Sequence, residues 1–210
     1  MNLRRRTLVA ALGLAPLAGF AQARTPAPGV DYTELKPAQP VEAQGKIEVL
    51  EFFWYGCPHC YSLQPLMEKW VPRLPADVNF RRVPAVLNEG WGREAAVFYA
   101  FEALGVLERL HRPFFDAIHV ERLNTRNPAT LADWLRKHEV DPKKYEDAFK
   151  SFGVQSKVRR AAQLSSAYRI EGTPALAVHG RFTVSAEQGR TQNGMLGTVD
   201  YLIGVARKGA

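Results

Sequence analysis

The strongest constraint on the fold is an apolar run at residues 47–55 that leads directly into the chain's two cysteines, Cys57 and Cys60. The run is rich in β-branched and aromatic residues on both faces, which is typical of a β-strand covered from both sides. The residues that follow repeat at helical spacings of three and four: Cys60, Leu63, Met67 and Trp70. The sequence therefore predicts a central strand followed by a helix, with the cysteines at the junction.

Similar patterns predict the other elements of an α/β fold. Short strands are predicted at 30–35, 77–84, 175–178 and 182–185, and the last two form a hairpin. Helical signals dominate the middle of the chain: a stripe over 98–118 that continues past Pro113, helices at 131–137 and 143–152, the latter ending at Gly153, and a helix at about 155–168. An amphipathic helix over 195–206 comes last. This order predicts an α/β domain interrupted by an inserted helical subdomain.

The first 23 residues predict a cleavable signal peptide rather than a part of the fold. Arginines at 4–6 precede an apolar run at 8–20, and the A-x-A sequence at 21–23 fits a cleavage site. The run is too short for a transmembrane helix, which needs about 20 apolar residues. The predicted organisation is therefore a signal peptide at 1–23, an α/β domain formed by 24–87 and 154–210, and a helical subdomain at 88–153.

Charge and cysteine content exclude several classes of protein. Loss of the three arginines in the signal peptide lowers the formal net charge from +7 to +4, and no basic run is interleaved with aromatic residues, so nucleic-acid binding is not predicted. Two cysteines are too few for a disulfide-stapled miniature scaffold or a four-thiolate metal site. We expect a periplasmic protein without stable membrane insertion, since disulfides form and persist in that compartment.

The sequence Cys57-Pro58-His59-Cys60 has the residues that thiol exchange requires. Cys57 is predicted at a helix N-terminus, where free N–H groups and the helix dipole stabilise a thiolate, so we expect an exposed nucleophile with a lowered pKa. Pro58 suits the first helical turn, and His59 can add an N–H donor or a positive charge beside the sulfur. Cys60 is expected to point inward as the resolving thiol. Such a pair needs no diffusible cofactor beyond its own disulfide.

Three other roles are conceivable for the cysteine pair: haem attachment, zinc binding and a purely structural disulfide. Haem attachment requires a histidine directly after the second cysteine, and Tyr61 stands there instead. A zinc site needs two more ligands from histidines that show no ligand spacing: His59, His111, His119, His138 and His179. A purely structural disulfide stays open, although so short a loop constrains the unfolded chain little.

Two positions outside the motif are further candidates. Glu51 shares a strand face with apolar neighbours, so burial should raise its pKa and make it a proton acceptor for Cys60. The alternative is that this face is locally solvated. Pro174 precedes an apolar strand, and a cis bond after Thr173 would expose backbone groups to a peptide substrate, whereas an ordinary trans turn is the alternative.

The run E-F-F-W-Y-G-C-P-H-C, the helical insertion and the run T-P-A-L-A-V-H-G-R-F resemble the DsbA family of periplasmic thiol:disulfide interchange proteins across nearly all of the mature chain. The resemblance implies a thioredoxin fold with a helical insertion, Pro174 as a cis-proline beside the disulfide, and Glu51 as a buried acid. It also implies reoxidation by the membrane protein DsbB. Three features depart from the family: Gln64 replaces an acidic residue, no lysine partner is evident near Arg81-Arg82, and Thr173 replaces an aliphatic residue.

These observations predict a soluble, monomeric dithiol oxidase that donates the Cys57–Cys60 disulfide to unfolded or reduced exported proteins, through a mixed disulfide on Cys57. One alternative is a disulfide isomerase or reductase of the same fold, although a separate dimerisation domain upstream is lacking. The other alternative is a periplasmic holdase or binding module whose disulfide is incidental.

Overall fold

A computed structural model describes residues 24–209, so the predicted signal peptide lies outside the described residues. Within them, five strands form one sheet in the order β1-β5-β4-β2-β3. The strands are β1 (Thr33–Glu34), β2 (Ile47–Phe53), β3 (Val78–Pro84), β4 (Ala175–Val178) and β5 (Phe182–Ser185). Strand β2 pairs in parallel with β3 and antiparallel with β4, which confirms its predicted central place.

Strand β3 begins one residue later than predicted, at Val78. Strands β1 and β2 are shorter by more than that, and local turns explain both differences. Strand β2 ends at Phe53 rather than at residue 55, because the backbone N–H of Cys57 donates to the Trp54 carbonyl at 3.0 Å and turns the chain there. Strand β1 begins only at Thr33, because the N–H of Asp31 donates to the Ala27 carbonyl and folds residues 27–31 into a turn.

Eight α-helices surround the sheet in the described part of the chain: α1 (Pro58–Trp70), α2 (Glu89–Ala103), α3 (Leu107–His119), α4 (Pro128–Lys137), α5 (Pro142–Lys150), α6 (Phe152–Ala167), α7 (Ala186–Gly189) and α8 (Gln192–Lys208). A 3₁₀ turn at Val71–Arg73 follows α1. Strands with helices on both faces confirm the predicted α/β class.

Helices α4 and α6 begin earlier than predicted, at Pro128 and Phe152. Two further differences have a clear local cause. The apolar stripe over 98–118 is split into α2 and α3, because Gly105 has a φ of 69° and donates its N–H to the Glu102 carbonyl. Gly153 does not end α5 but lies inside α6. Ser151 ends the one helix and caps the next, since its hydroxyl accepts the N–H of Val154 at 3.2 Å.

Three apolar clusters form the core, and two of them lie on opposite faces of β2. Residues of α1 and α8 pack on the face that carries Ile47 and Val49. Residues of α6 and α2 cover the face that carries Leu50 and Phe52. The third cluster joins helices α2 to α5 to the end of β2 and to both cysteines. The cysteine motif therefore lies where the sheet meets the helical segment.

Candidate active site

Cys57 is the N-cap residue of helix α1, and Pro58 occupies the first helical position, where no N–H is needed. The Sγ atom of Cys57 accepts the backbone N–H of Cys60 at 3.4 Å and, in its protonated form, donates to the Thr173 carbonyl at 3.2 Å. Both cysteines are free thiols in the structure. Two distant parts of the chain thus meet at one sulfur.

The two sulfurs are less different in exposure than predicted. Cys60 is fully buried as expected, but Cys57 was predicted to be exposed and is only 7% exposed. The reason is that the loop carrying Thr173 lies against its sulfur.

The two thiols differ strongly in acidity. A hydrogen bond from the Cys60 side chain, supported by Thr173 and by backbone N–H groups, lowers the pKa of Cys57 from 9.0 to about 5. Burial raises the pKa of Cys60 well above its ordinary value. At neutral pH the arrangement therefore holds one thiolate, on Cys57, and one thiol, on Cys60.

His59 was predicted to add an N–H donor or a positive charge beside the sulfur. The structure places this side chain in an exposed position, and it is the backbone N–H of His59 that lowers the pKa of Cys57. This donor belongs to the free N–H groups at the start of helix α1.

The Thr173–Pro174 peptide bond is cis, as the family resemblance implies, and β4 begins at the next residue. The Thr173 carbonyl accepts from Cys57, while the Thr173 side chain also lowers the pKa of that thiol. The loop and the cysteine motif therefore form one site.

Glu51 is fully buried on β2, so the predicted buried acid is confirmed and the solvated alternative is wrong. Burial raises the pKa of its carboxyl, although the nearby charge of Arg82 opposes the shift. Atom Nε of Arg82 lies 3.2 Å from Oε2 of Glu51, but the angle between them does not make a hydrogen bond. The two side chains therefore form an ion pair without a hydrogen bond.

Sequence reasoning missed two contacts of this carboxylate. The strand register places Arg82 directly beside Glu51, so an arginine stands where a lysine was sought. Gln64, noted only as a departure from the family, donates its amide to Oε1 of Glu51 at 3.1 Å and to the Cys60 carbonyl at 3.5 Å. Its position one helical turn after Cys60 was the available signal. Gln64 therefore links the buried acid to the second cysteine.

Metal-binding clusters and membrane-spanning helices are both absent from the described residues. Across residues 24–209, no group of three or more His, Cys, Asp or Glu side chains is arranged to hold a metal ion. No helix in that range is both long enough and apolar enough to cross a lipid bilayer.

A mixed sheet with a C-x-x-C pair at the strand-to-helix junction, facing a cis-proline loop, defines a thioredoxin-like thiol:disulfide oxidoreductase. A family described as a DSBA-like thioredoxin domain matches residues 76–191. The chain is 40% identical to the thiol:disulfide interchange protein DsbA of Burkholderia cepacia, over 94% of this chain and 93% of that protein. The crystal structure of Pseudomonas aeruginosa DsbA is 36% identical, with a TM-score of 0.82, over 86% of this chain and 94% of that one.

The chain therefore belongs to the DsbA family. Its fold is the thioredoxin-like fold of that family, and it is an enzyme of the protein dithiol oxidase class. The family uses a redox-active disulfide, and its partners are substrate proteins.

Proposed function

We propose that this chain is a periplasmic enzyme that donates the Cys57–Cys60 disulfide to newly exported proteins. The observation that carries the proposal is the lowered pKa of Cys57, to about 5, beside the raised pKa of Cys60. A stabilised thiolate favours the reduced form of the enzyme, so its disulfide is a strong oxidant.

The reaction takes two exchange steps. A client thiolate attacks Sγ of Cys57, the Cys57–Cys60 bond breaks, and Cys60 leaves with the electron pair and takes up a proton. A second client thiolate then attacks the client sulfur of the mixed disulfide, and Cys57 departs as a thiolate. The client gains one disulfide and the enzyme becomes a dithiol. The low pKa of Cys57 favours this last departure.

Glu51 is the proposed proton carrier for Cys60. A buried Cys60 thiolate is unfavourable, as the raised pKa of this thiol indicates. Burial also raises the pKa of Glu51, so this carboxyl can hold a proton at a higher pH than an exposed one. Gln64 contacts both Glu51 and the Cys60 backbone and keeps the acid beside the first turn of α1. During reoxidation, the same carboxylate accepts the proton.

A groove of about 730 Å³ beside Thr173 and Pro174 is the proposed binding surface for the client chain. Its lining includes His59, Thr173 and Pro174, so an extended segment bound there passes next to the reactive sulfur. Binding of an extended client segment through its backbone suits clients of many sequences.

The remaining parts of the proposal rest on the family and on the N-terminal sequence. We propose cleavage after residue 23, work as a monomer in the periplasm without a metal or organic cofactor, and reoxidation of the cysteine pair by the membrane protein DsbB. The division into 24–87 with 154–210 and an insertion at 88–153 also stays a prediction. Helix α6 begins at Phe152, so it runs across the second boundary.

Oxidised enzyme incubated with reduced, unfolded ribonuclease A tests the function. We expect one client disulfide formed per enzyme disulfide consumed. The Cys57→Ser variant should form none. Cys60→Ser, incubated instead with the disulfide-bonded client, should accumulate a mixed disulfide on Cys57, because the second thiol that would release the client is missing. The proposal fails if Cys57→Ser keeps full activity toward the client. A holdase, by contrast, would keep suppressing aggregation without this cysteine. The proposal also fails if the enzyme isolated from growing cells is mainly a dithiol.

A further inference from the structure

His119 is the last residue of helix α3, and its ring reaches the backbone just before the cysteine motif. Atom Nε2 of His119 lies 2.8 Å from the carbonyl oxygen of Tyr55. A carbonyl can only accept, so Nε2 must carry the proton of this hydrogen bond. Tyr55 is only 1% exposed and stands two residues before Cys57.

Neighbouring side chains hold the His119 ring in this orientation. The Tyr61 ring stacks on it, with centroids 4.8 Å apart and planes 10° apart. The Tyr61 hydroxyl donates to Oδ1 of Asp116 at 2.8 Å, and Nε of Arg112 donates to the same oxygen at 3.1 Å. Arg112, Asp116 and His119 recur at helical spacing, so α3 presents one face to the residue that directly follows Cys60.

The opposite side of the same turn is held by an aromatic pair. The Trp54 ring stacks on Trp91 of α2, with centroids 4.4 Å apart and planes 5° apart. Gly56 lies so close to the Trp54 ring that a Cβ atom there would overlap it. The turn over 54–57 is therefore fixed by α2 through stacking and by α3 through the His119 hydrogen bond.

We propose that His119 is a positioning residue for Cys57: its hydrogen bond to the Tyr55 carbonyl holds the turn that places the sulfur against Thr173 and the start of α1. Without the donor, a buried carbonyl is left unpaired, and the turn shifts toward water to satisfy it. Cys57 then moves away from the Cys60 N–H, which donates to its sulfur at 3.4 Å and stabilises the thiolate. The inference rests on the proposed role of Cys57 as the exchanging sulfur.

Two variants separate the hydrogen bond from the ring stack. His119→Phe keeps a ring against Tyr61 but removes the donor, and His119→Gln restores an N–H donor without the ring. His138→Phe is the matched control, since this histidine also packs on an aromatic ring, that of Trp134, and lies at the end of α4. The readouts are the pKa of Cys57, from the ultraviolet absorbance of its thiolate, and the equilibrium with glutathione.

For His119→Phe we expect the pKa of Cys57 to rise by about one unit, the size of one ordinary hydrogen bond that favours the thiolate. The equilibrium with glutathione should shift about tenfold toward the protein disulfide. His119→Gln should return most of both changes, and His138→Phe should match the wild type. The inference is overturned if His119→Phe matches the wild type, or if His119→Gln changes as much as His119→Phe.

A measurement on the unmodified protein keeps the inference testable if a variant does not fold. Long-range ¹H–¹⁵N spectra of the reduced protein assign the ring tautomer, and a neutral His119 must carry its proton on Nε2. A proton on Nδ1 alone would contradict the inference. A Cys57 pKa near 9 in the wild type would instead overturn the proposed function, so the two failures are distinguishable.

Discussion

Replacement of Cys57 by serine should lower the free energy of unfolding of the reduced protein, and the loss should grow as the pH rises. The pKa of this thiol falls from 9.0 to about 5 on folding, so between those values the folded state holds a thiolate while the unfolded chain still binds a proton. Each unit of that gap stabilises the folded state by about 1.4 kcal/mol. The contribution is complete above about pH 9, amounts to about 3 kcal/mol at pH 7, and is lost as the pH falls to about 5.

Guanidinium chloride unfolding of wild type and Cys57→Ser, both kept reduced, measures this difference at several values between about pH 5 and about pH 8. We expect the two proteins to differ little at the acid end and to separate by a little over 1 kcal/mol per pH unit. The oxidised wild type is the control, because a disulfide cannot ionise and the slope should disappear. A difference that stays constant with pH would refute the reasoning that the fold stabilises this thiolate.

Three further changes follow from the same contacts. Thr173→Val should raise the pKa of Cys57, because it removes a side chain that lowers it, and an unchanged thiolate titration would contradict this. Cys60→Ala should raise that pKa more, because the Cys60 side chain is the largest cause of the lowered value; an effect smaller than that of Thr173→Val would speak against the assignment. Arg82→Met should raise the pKa of Glu51 further, as the carboxyl ¹³C shift would report, and a fall in that pKa would show that the ion pair is misassigned.

Local sequence patterns predicted strand β2 and helix α1 well. The apolar run before Cys57 became a central strand with every residue buried, and the stripe from Cys60 to Trp70 became the buried side of α1. Both depend on the spacing of side chains within one element, which the sequence displays directly. The position of Glu51 on β2 followed from the same spacing, so its burial could also be predicted.

Contacts between distant parts of the chain were less accessible. The place of Arg82 beside Glu51 depends on the register of two parallel strands, and no local pattern sets it. The low exposure of Cys57 depends on a loop that follows the helical segment. The break at Gly105 was missed because the apolar stripe continues across it, and only the positive φ of that glycine separates the two helices.

The hydrogen bond from Cys57 to Thr173 joins residues that are 116 positions apart. Ribosomes make a chain from its amino terminus, so the cysteine pair emerges long before the loop that carries this carbonyl. A nascent chain that stops short of the loop also lacks the Thr173 side chain, which lowers the pKa of Cys57, so its first cysteine remains closer to an ordinary thiol. The site is therefore complete only after the last two strands have joined the sheet.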